Sequence, residues 1–166
     1  MRCLSFLVND DRFAVDVNLV QEYARRLTIT PVLSAPDSLF GIANLKGKVI
    51  TILSLMVLLG RRSSIFEESV SDTYCAVIFK SFSSGEDQMG LMIDEPLGLI
   101  DIEDDDISNP SKSIEQEESF YISGVAEAEG DLYRIIDFNS IVEMFKSDGE
   151  ESAGTVENGG AEDEKI

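Results

Sequence analysis

Gly41-Ile-Ala-Asn-Leu-Lys-Gly47 returns 83 residues later as Gly124-Val-Ala-Glu-Ala-Glu-Gly130. Each copy reads glycine, β-branched residue, alanine, three residues, glycine. Each runs into an apolar stretch, Lys48 to Leu55 and Asp131 to Phe138. Upstream, Phe13-Ala-Val-Asp16 has a looser echo in Leu91-Met-Ile-Asp94. A supersecondary unit repeated in constant order predicts one fold built from two related halves. Gly41 and Gly47 are expected to bound a strand and a tight hairpin turn, where a Cβ cannot be accommodated. Such a turn would present Lys46 outward.

The flanking segments extend this pattern. Residues 4–8 and 13–17 surround Asn9-Asp-Asp-Arg12, whose Asn and Asp favour tight turns, so a β-hairpin is expected there. Asp16 is placed to cap a single turn leading into residues 20–24, which read as a short helix or a strand. Pro31 and Pro36 bracket a connector, because proline removes a ladder donor and holds the preceding residue extended. Residues 42–45 and 49–53 form the hairpin around Lys46-Gly-Lys48. Residues 54–59 are apolar all round, with Gly60 and Arg61-Arg62 beyond. Glycine accepts the left-handed conformation and cations suit the negative helix end, which predicts one short buried helix.

A polar loop, residues 63–72, would join the halves. Residues 74–82 and 89–102 are strand-like, and Pro96 sends the second run to a sheet edge or ends its pairing. Residues 103–118 read as an acidic loop, and 120–126 with 132–138 as the last hairpin. Ser140-Ile-Val-Glu143 has capping-box spacing and opens a short helix that Gly149 ends. The fold expected from these residues is mostly β, two small barrels or sheets with short helices.

At 166 residues and 43% apolar, the chain can bury a sizeable core. No run of about 18 apolar residues occurs, so no transmembrane helix is expected. The N-terminus is too briefly apolar for a signal peptide, which suggests a cytoplasmic protein. Cys3 and Cys75 lie in strand-like runs without metal-ligand spacing and read as reduced core residues. The net charge of −19 is uneven: residues 1–62 hold eight bases and five acids, and residues 63–166 hold five bases and 27 acids. Repulsion argues against nucleic acid or an anionic membrane as partner of the acidic part. Arg25, Arg26, Lys46, Lys48, Arg61 and Arg62 in the first part are either scattered surface charge or a basic face toward an acidic protein. Residues 147–166 carry seven acids, one lysine and four glycines, with almost nothing to bury. That composition predicts an acidic disordered tail behind a domain spanning 1–146.

The chain contains no histidine. This excludes Ser-His-Asp and Cys-His nucleophiles, histidine-ligated metals and a phosphohistidine role. Glu103-Asp-Asp-Asp106 offers hard oxygen ligands but lacks the alternating spacing and distal glutamate of a calcium loop. A solvated acidic loop is the simpler reading, with an acidic metal-dependent enzyme as its rival. Gly41 to Gly47 lacks both the Lys-Ser/Thr ending of a phosphate loop and dinucleotide spacing. No catalytic residue, metal or cofactor is called for.

Several motifs in order resemble the CheW family, the coupling proteins of bacterial chemotaxis arrays. They are Phe6-Leu-Val8 with Phe13-Ala-Val-Asp-Val17; Val20-Gln-Glu22; Ile29-Thr-Pro-Val32 with Gly41 to Gly47; and Val49 to Leu55. Leu91-Met-Ile-Asp-Glu95, Gly124-Val-Ala126 and Ile135-Ile-Asp137 extend the resemblance, which covers roughly residues 4–146. It implies a non-enzymatic adaptor of two interleaved SH3-like five-stranded β-barrel subdomains. The implied partners are the regulatory domain of a CheA-type histidine kinase, itself CheW-like, and the cytoplasmic tip of chemoreceptors. A different chemosensory output such as pilus motility is the alternative within the same family.

Carried over by motif, Val20, Glu22, Gly41, Asn44, Lys46 and Gly47 match positions associated with receptor or kinase coupling. Glu22 is equally readable as an exposed charge on a strand edge, and Val20 as a core residue. The chain also departs from the family. Lys46 stands where arginine is usual, exchanging a planar bidentate fork for a point charge. Ser54-Leu55-Met56 replaces Asp-Leu-Arg, and Pro96 falls where an extended residue is usual.

Overall fold

The computed structural model describes residues 1–61, 73–81, 88–109 and 120–147. The expected loop at 63–72, the helix stop at Gly149 and all of the tail beyond Ser147 lie outside them. The described chain runs β1 (Arg2–Val8), β2 (Asp11–Asp16), β3 (Val20–Leu27), β4 (Ile29–Thr30), β5 (Leu39–Leu45) and β6 (Lys48–Ser54) into helix α1 (Leu55–Leu58). It continues through β7 (Tyr74–Phe79), β8 (Met89–Ile93), β9 (Glu95–Asp101), β10 (Ile107–Ser108), β11 (Ile122–Ala128) and β12 (Asp131–Ile136), and ends in α2 (138–147).

These strands form two sheets, ordered β10-β11-β12-β2-β1-β9 and β4-β5-β6-β8-β7-β3. Adding six to each strand number of the second sheet, and subtracting six from β7 and β8, gives the first. The internal repeat is therefore a repeat of topology, and each sheet consists of five full strands plus a two-residue edge strand. The halves exchange their opening hairpins. β1–β2 joins β9–β12 and β7–β8 joins β3–β6, each through one parallel pairing, β2 with β12 and β8 with β6, and one antiparallel pairing, β1 with β9 and β7 with β3.

Three apolar clusters follow from this exchange. Cys3, Ala14, Ile100, Ala126, Tyr133 and Ile135 fill the first barrel. Ala24, Leu27, Ala43, Ile50, Ile52 and Ile78 fill the second. Between them lies the largest cluster, to which both exchanged hairpins and both helices contribute, including Phe6, Phe13, Leu55, Phe79, Phe138 and Ile141. Phe79 and Phe138 stack with ring centroids 4.0 Å apart and planes inclined by 17°. An offset pair of this kind adds roughly 0.5–1.5 kcal/mol beyond its burial. Asp11 adds a polar tie, accepting from Arg61 just past α1 and from Arg134 in β12.

Local chemistry sets the element ends. Asn9 and Asp10 have φ of 50° and 69°, the double left-handed turn that hairpins favour. Asp16 accepts from the Asn18 amide and caps a 3-10 turn at Val17–Leu19, so residues 20–24 continue as strand rather than helix. Ser54 caps α1 at the Val57 amide; the serine that replaces the usual aspartate keeps the cap without the charge. Gly60 closes that helix with φ +73°, its amide on Val57 and that of Arg61 on Met56, a Schellman pattern.

Three local expectations change. The single run 89–102 is two strands, because the chain leaves one sheet after Ile93 and enters the other at Glu95; Pro96 sits in edge strand β9, where a missing donor costs little. The acidic stretch after 102 holds a 3-10 turn at Asp104–Asp106 and strand β10, paired with β11. The helix α2 begins at 138, and Asp137 rather than Ser140 caps it, accepting from the Ser140 amide at 3.3 Å and hydroxyl at 2.8 Å. The aspartate outcompetes the serine because it precedes the first helical residue.

Candidate functional site

Gly41 lies inside β5, not at a turn. A Cβ there would meet the Thr30 carbonyl oxygen at 2.5 Å and Ile29 Cγ2 at 2.6 Å, so glycine lets β4 close over the backbone of β5. Gly47 has the other reason for glycine: its surroundings are open, but its φ is +83°. Lys46 precedes it at φ +53°, so the two residues form the left-handed hairpin turn between β5 and β6. Asn44 stabilises that turn, its Oδ1 accepting the Gly47 amide at 3.1 Å.

The turn reaches across the barrel. Lys46 Nζ donates to Glu22 Oε2 at 3.2 Å. β3 and β5 stand four positions apart in the sheet, roughly 19 Å if flat at about 4.8 Å per strand. Their contact shows that the sheet curls until its edge strand meets the hairpin. Lys46 keeps 77% of its side-chain exposure and Glu22 30%. A pair this wet contributes about 0–1 kcal/mol to stability. It holds a cation and a carboxylate at the rim without committing either to the fold.

Four of the six residues marked in the sequence therefore meet at one barrel end: Glu22, Asn44, Lys46 and Gly47. Val20 does not join them; it is half-buried against the core shared by the barrels. Gly41 is five residues from the turn lysine, at the opposite end of β5. Beside the Glu22–Lys46 pair lies an open depression of about 390 Å³, whose lining includes Gln21, Lys48, Ile50 and Gln88. Gln21 arrives through a bulge between Val20 and Glu22. Lys48 was legible as a base flanking the turn, whereas nothing in the sequence signals Gln88.

A second hollow, of about 450 Å³, opens where β3 and β7 meet the start of β9, with Tyr23, Arg25, Cys75 and Pro96 on its walls. Arg25 lies over the Tyr23 ring at 5.4 Å. Burial first, and the Cys75 hydrogen bond second, raise the Tyr23 pKa. Among the described residues no group of three His, Cys, Asp or Glu side chains is placed to hold a metal ion. No helix among them is long and apolar enough to cross a membrane.

Comparison with known proteins agrees with this architecture. The family model described as "CheW-like domain" matches residues 2–146. The chain is 26% identical over 150 residues to "Chemotaxis protein CheW" of Rhizobium meliloti, covering 90% of each chain. It is 25% identical over 142 residues to the protein of the same name from Thermotoga maritima, covering 84% of this chain and 86% of the relative. Among solved structures, scaffolding protein TtCheW from Thermoanaerobacter tengcongensis superposes with a TM-score of 0.68 at 21% identity, over 82% of this chain and 88% of that one.

Proposed function

Because the chain belongs to the CheW-like family, we propose that it is a scaffolding adaptor of bacterial chemotaxis, coupling chemoreceptors to a CheA-type histidine kinase. The observation that carries the site assignment is the Glu22–Lys46 pair at the open barrel end. A kinase regulatory domain with the same barrel architecture meets this end through its own rim charges. Lys46 supplies a point charge toward a carboxylate, and Glu22 keeps the ammonium aimed when no partner is present. The point charge tolerates more partner geometries than the usual guanidinium and fixes each less firmly.

The receptor tip is an α-helical hairpin, and the hollow walled by Tyr23, Cys75 and Pro96 at the junction of the sheets suits one face of such a helix. Holding receptor and kinase on one small body lets a receptor conformation bias the kinase, a coupling free energy between two binding sites. The adaptor performs no chemistry of its own and works in the cytoplasm, beneath the receptor membrane.

Reconstitution tests this reading. Receptor-bearing membranes and the kinase together should show receptor-controlled autophosphorylation only when this chain is added. Full control without it would remove the adaptor role. A different chemosensory output, such as pilus motility, would use the same surfaces with a different kinase.

A further inference from the structure

Cations and acids are matched over much of the described surface. Arg2 pairs with Asp101, Arg12 with Asp131, and Asp11 accepts from both Arg61 and Arg134. Arg25 lies over Tyr23 in a hollow that Asp94 and Glu95 also line. The mouth of the second barrel is different. Around its depression stand Lys46 and Lys48 against a single acid, Glu22, which engages Lys46 at 3.2 Å. Exposed Lys80 stands one residue before Ser81, which lines the same depression. Lys48 and Lys80 have no ion pair among the described residues.

The opposite charge is held in the same chain. Beyond Ser147, residues 148–166 carry seven acids and one lysine, among them the run Glu162-Asp163-Glu164 behind Gly159-Gly160. Helix α2 sets out from near the barrel mouth, because Phe138 stacks on Phe79, two residues before Ser81. Ten helical residues add about 15 Å, and two strand residues about 7 Å, which keeps Ser147 within roughly 35 Å of the depression. The 15 residues from Ser147 to Glu162 span up to about 50 Å when extended. The acidic run is therefore within reach, at an effective concentration on the order of millimolar.

We propose that Glu162-Asp163-Glu164 docks within the same molecule on Lys46, Lys48 and Lys80, covering the mouth of the second barrel. Three carboxylates meet three ammonium groups, and Gly159 and Gly160 let the chain bend onto the surface. Charge alone holds the contact, so it is weak and salt-sensitive, with fields reaching roughly 30 Å at 0.01 M salt and about 8 Å at 0.15 M. The docked run occupies Lys46, the residue assigned above to the kinase, and so competes with an acidic partner surface. That competition rests on the adaptor reading; the docking does not.

Backbone amide resonances of the full chain, recorded at low and high salt, test the docking. Glu162→Gln, Asp163→Asn and Glu164→Gln together should shift the amides of Lys46, Gly47, Lys48 and Ser81 at low salt. High salt should abolish the difference. Lys46→Gln with Lys48→Gln should in turn move the amides of residues 162–164 to their high-salt positions. Unchanged resonances around the depression would overturn the proposal. So would changes confined to Arg25 and Arg26, or changes that grow with protein concentration and place the run on a neighbouring molecule. Calorimetry tests the competition: the neutralised chain should bind a kinase regulatory domain about three- to tenfold more tightly at low salt, as expected when the mouth is open a tenth to a third of the time. Equal affinities would overturn the competition. Absence of binding by both chains would instead remove the adaptor reading, and the resonances would still decide the docking.

Discussion

Gly41 and Gly124 occupy the same place in the two halves, each beneath a two-residue edge strand. A Cβ on Gly41 would lie 2.5 Å from the Thr30 carbonyl oxygen, and one on Gly124 would lie 2.5 Å from Ile107 Cγ2. A bulge precedes each: the registers shift between Leu39 and Gly41, and between Ile122 and Gly124. The repeated glycine thus records a close backbone crossing rather than a turn.

This predicts unequal costs for two similar substitutions. Gly41→Ala must push a backbone carbonyl aside and should lose roughly 1–3 kcal/mol, the usual cost of overpacking. Gly124→Ala meets the methyl group of a side chain first, with the Ser108 carbonyl at 3.1 Å, and should lose less. Urea denaturation midpoints of the two proteins would check the order. An unchanged midpoint for Gly41→Ala would contradict the close crossing.

The ion pair at the barrel end predicts a separation between stability and binding. Glu22→Ala, Lys46→Ala and the double substitution should each shift unfolding by less than about 1 kcal/mol, as expected for an exposed pair. The same proteins should bind the kinase regulatory domain several-fold more weakly. A coupling energy above about 2 kcal/mol in the unfolding cycle would make the pair structural instead.

Cys3 predicts an alkaline limit. Burial, reinforced by Asp16 and Asp101, raises its thiol pKa from 9.0 to about 11. The unfolded chain releases this proton first, so between about pH 9 and about pH 11 the unfolded state binds fewer protons. Stability is intact below pH 9 and falls as pH rises through that window. Cys3→Ala removes the titrating group, so the stability difference between it and the native chain should shift over pH 9–11 and stay flat below. A difference constant across the window would show that the thiol ionises freely.

Much of the architecture was legible because it was written twice. The spacing from Gly41 to Gly47 and from Gly124 to Gly130 announced paired hairpins, and Gly60 marked the end of α1 by local chemistry alone, whereas Ser54, its N-cap, reads in sequence as part of the apolar run. What stayed hidden was non-local. No local signal told residues 89–102 to change sheets at Asp94, since each half of that run is a sound strand by itself. The capping box at Ser140 was a fair local motif that Asp137 pre-empted from one turn upstream. At the site, the hairpin turn was visible, but the Glu22–Lys46 contact depends on sheet curl, which adjacent residues do not encode.

The most direct test of coupling is a calorimetric titration of this chain with the regulatory domain of a chemotaxis kinase from the same organism. The adaptor account predicts saturable one-to-one binding, weakened at least about tenfold by Lys46→Glu, which places a charge of the wrong sign at the rim. Absence of binding, or full affinity in the Lys46→Glu protein, would contradict coupling through the Glu22–Lys46 end of the barrel.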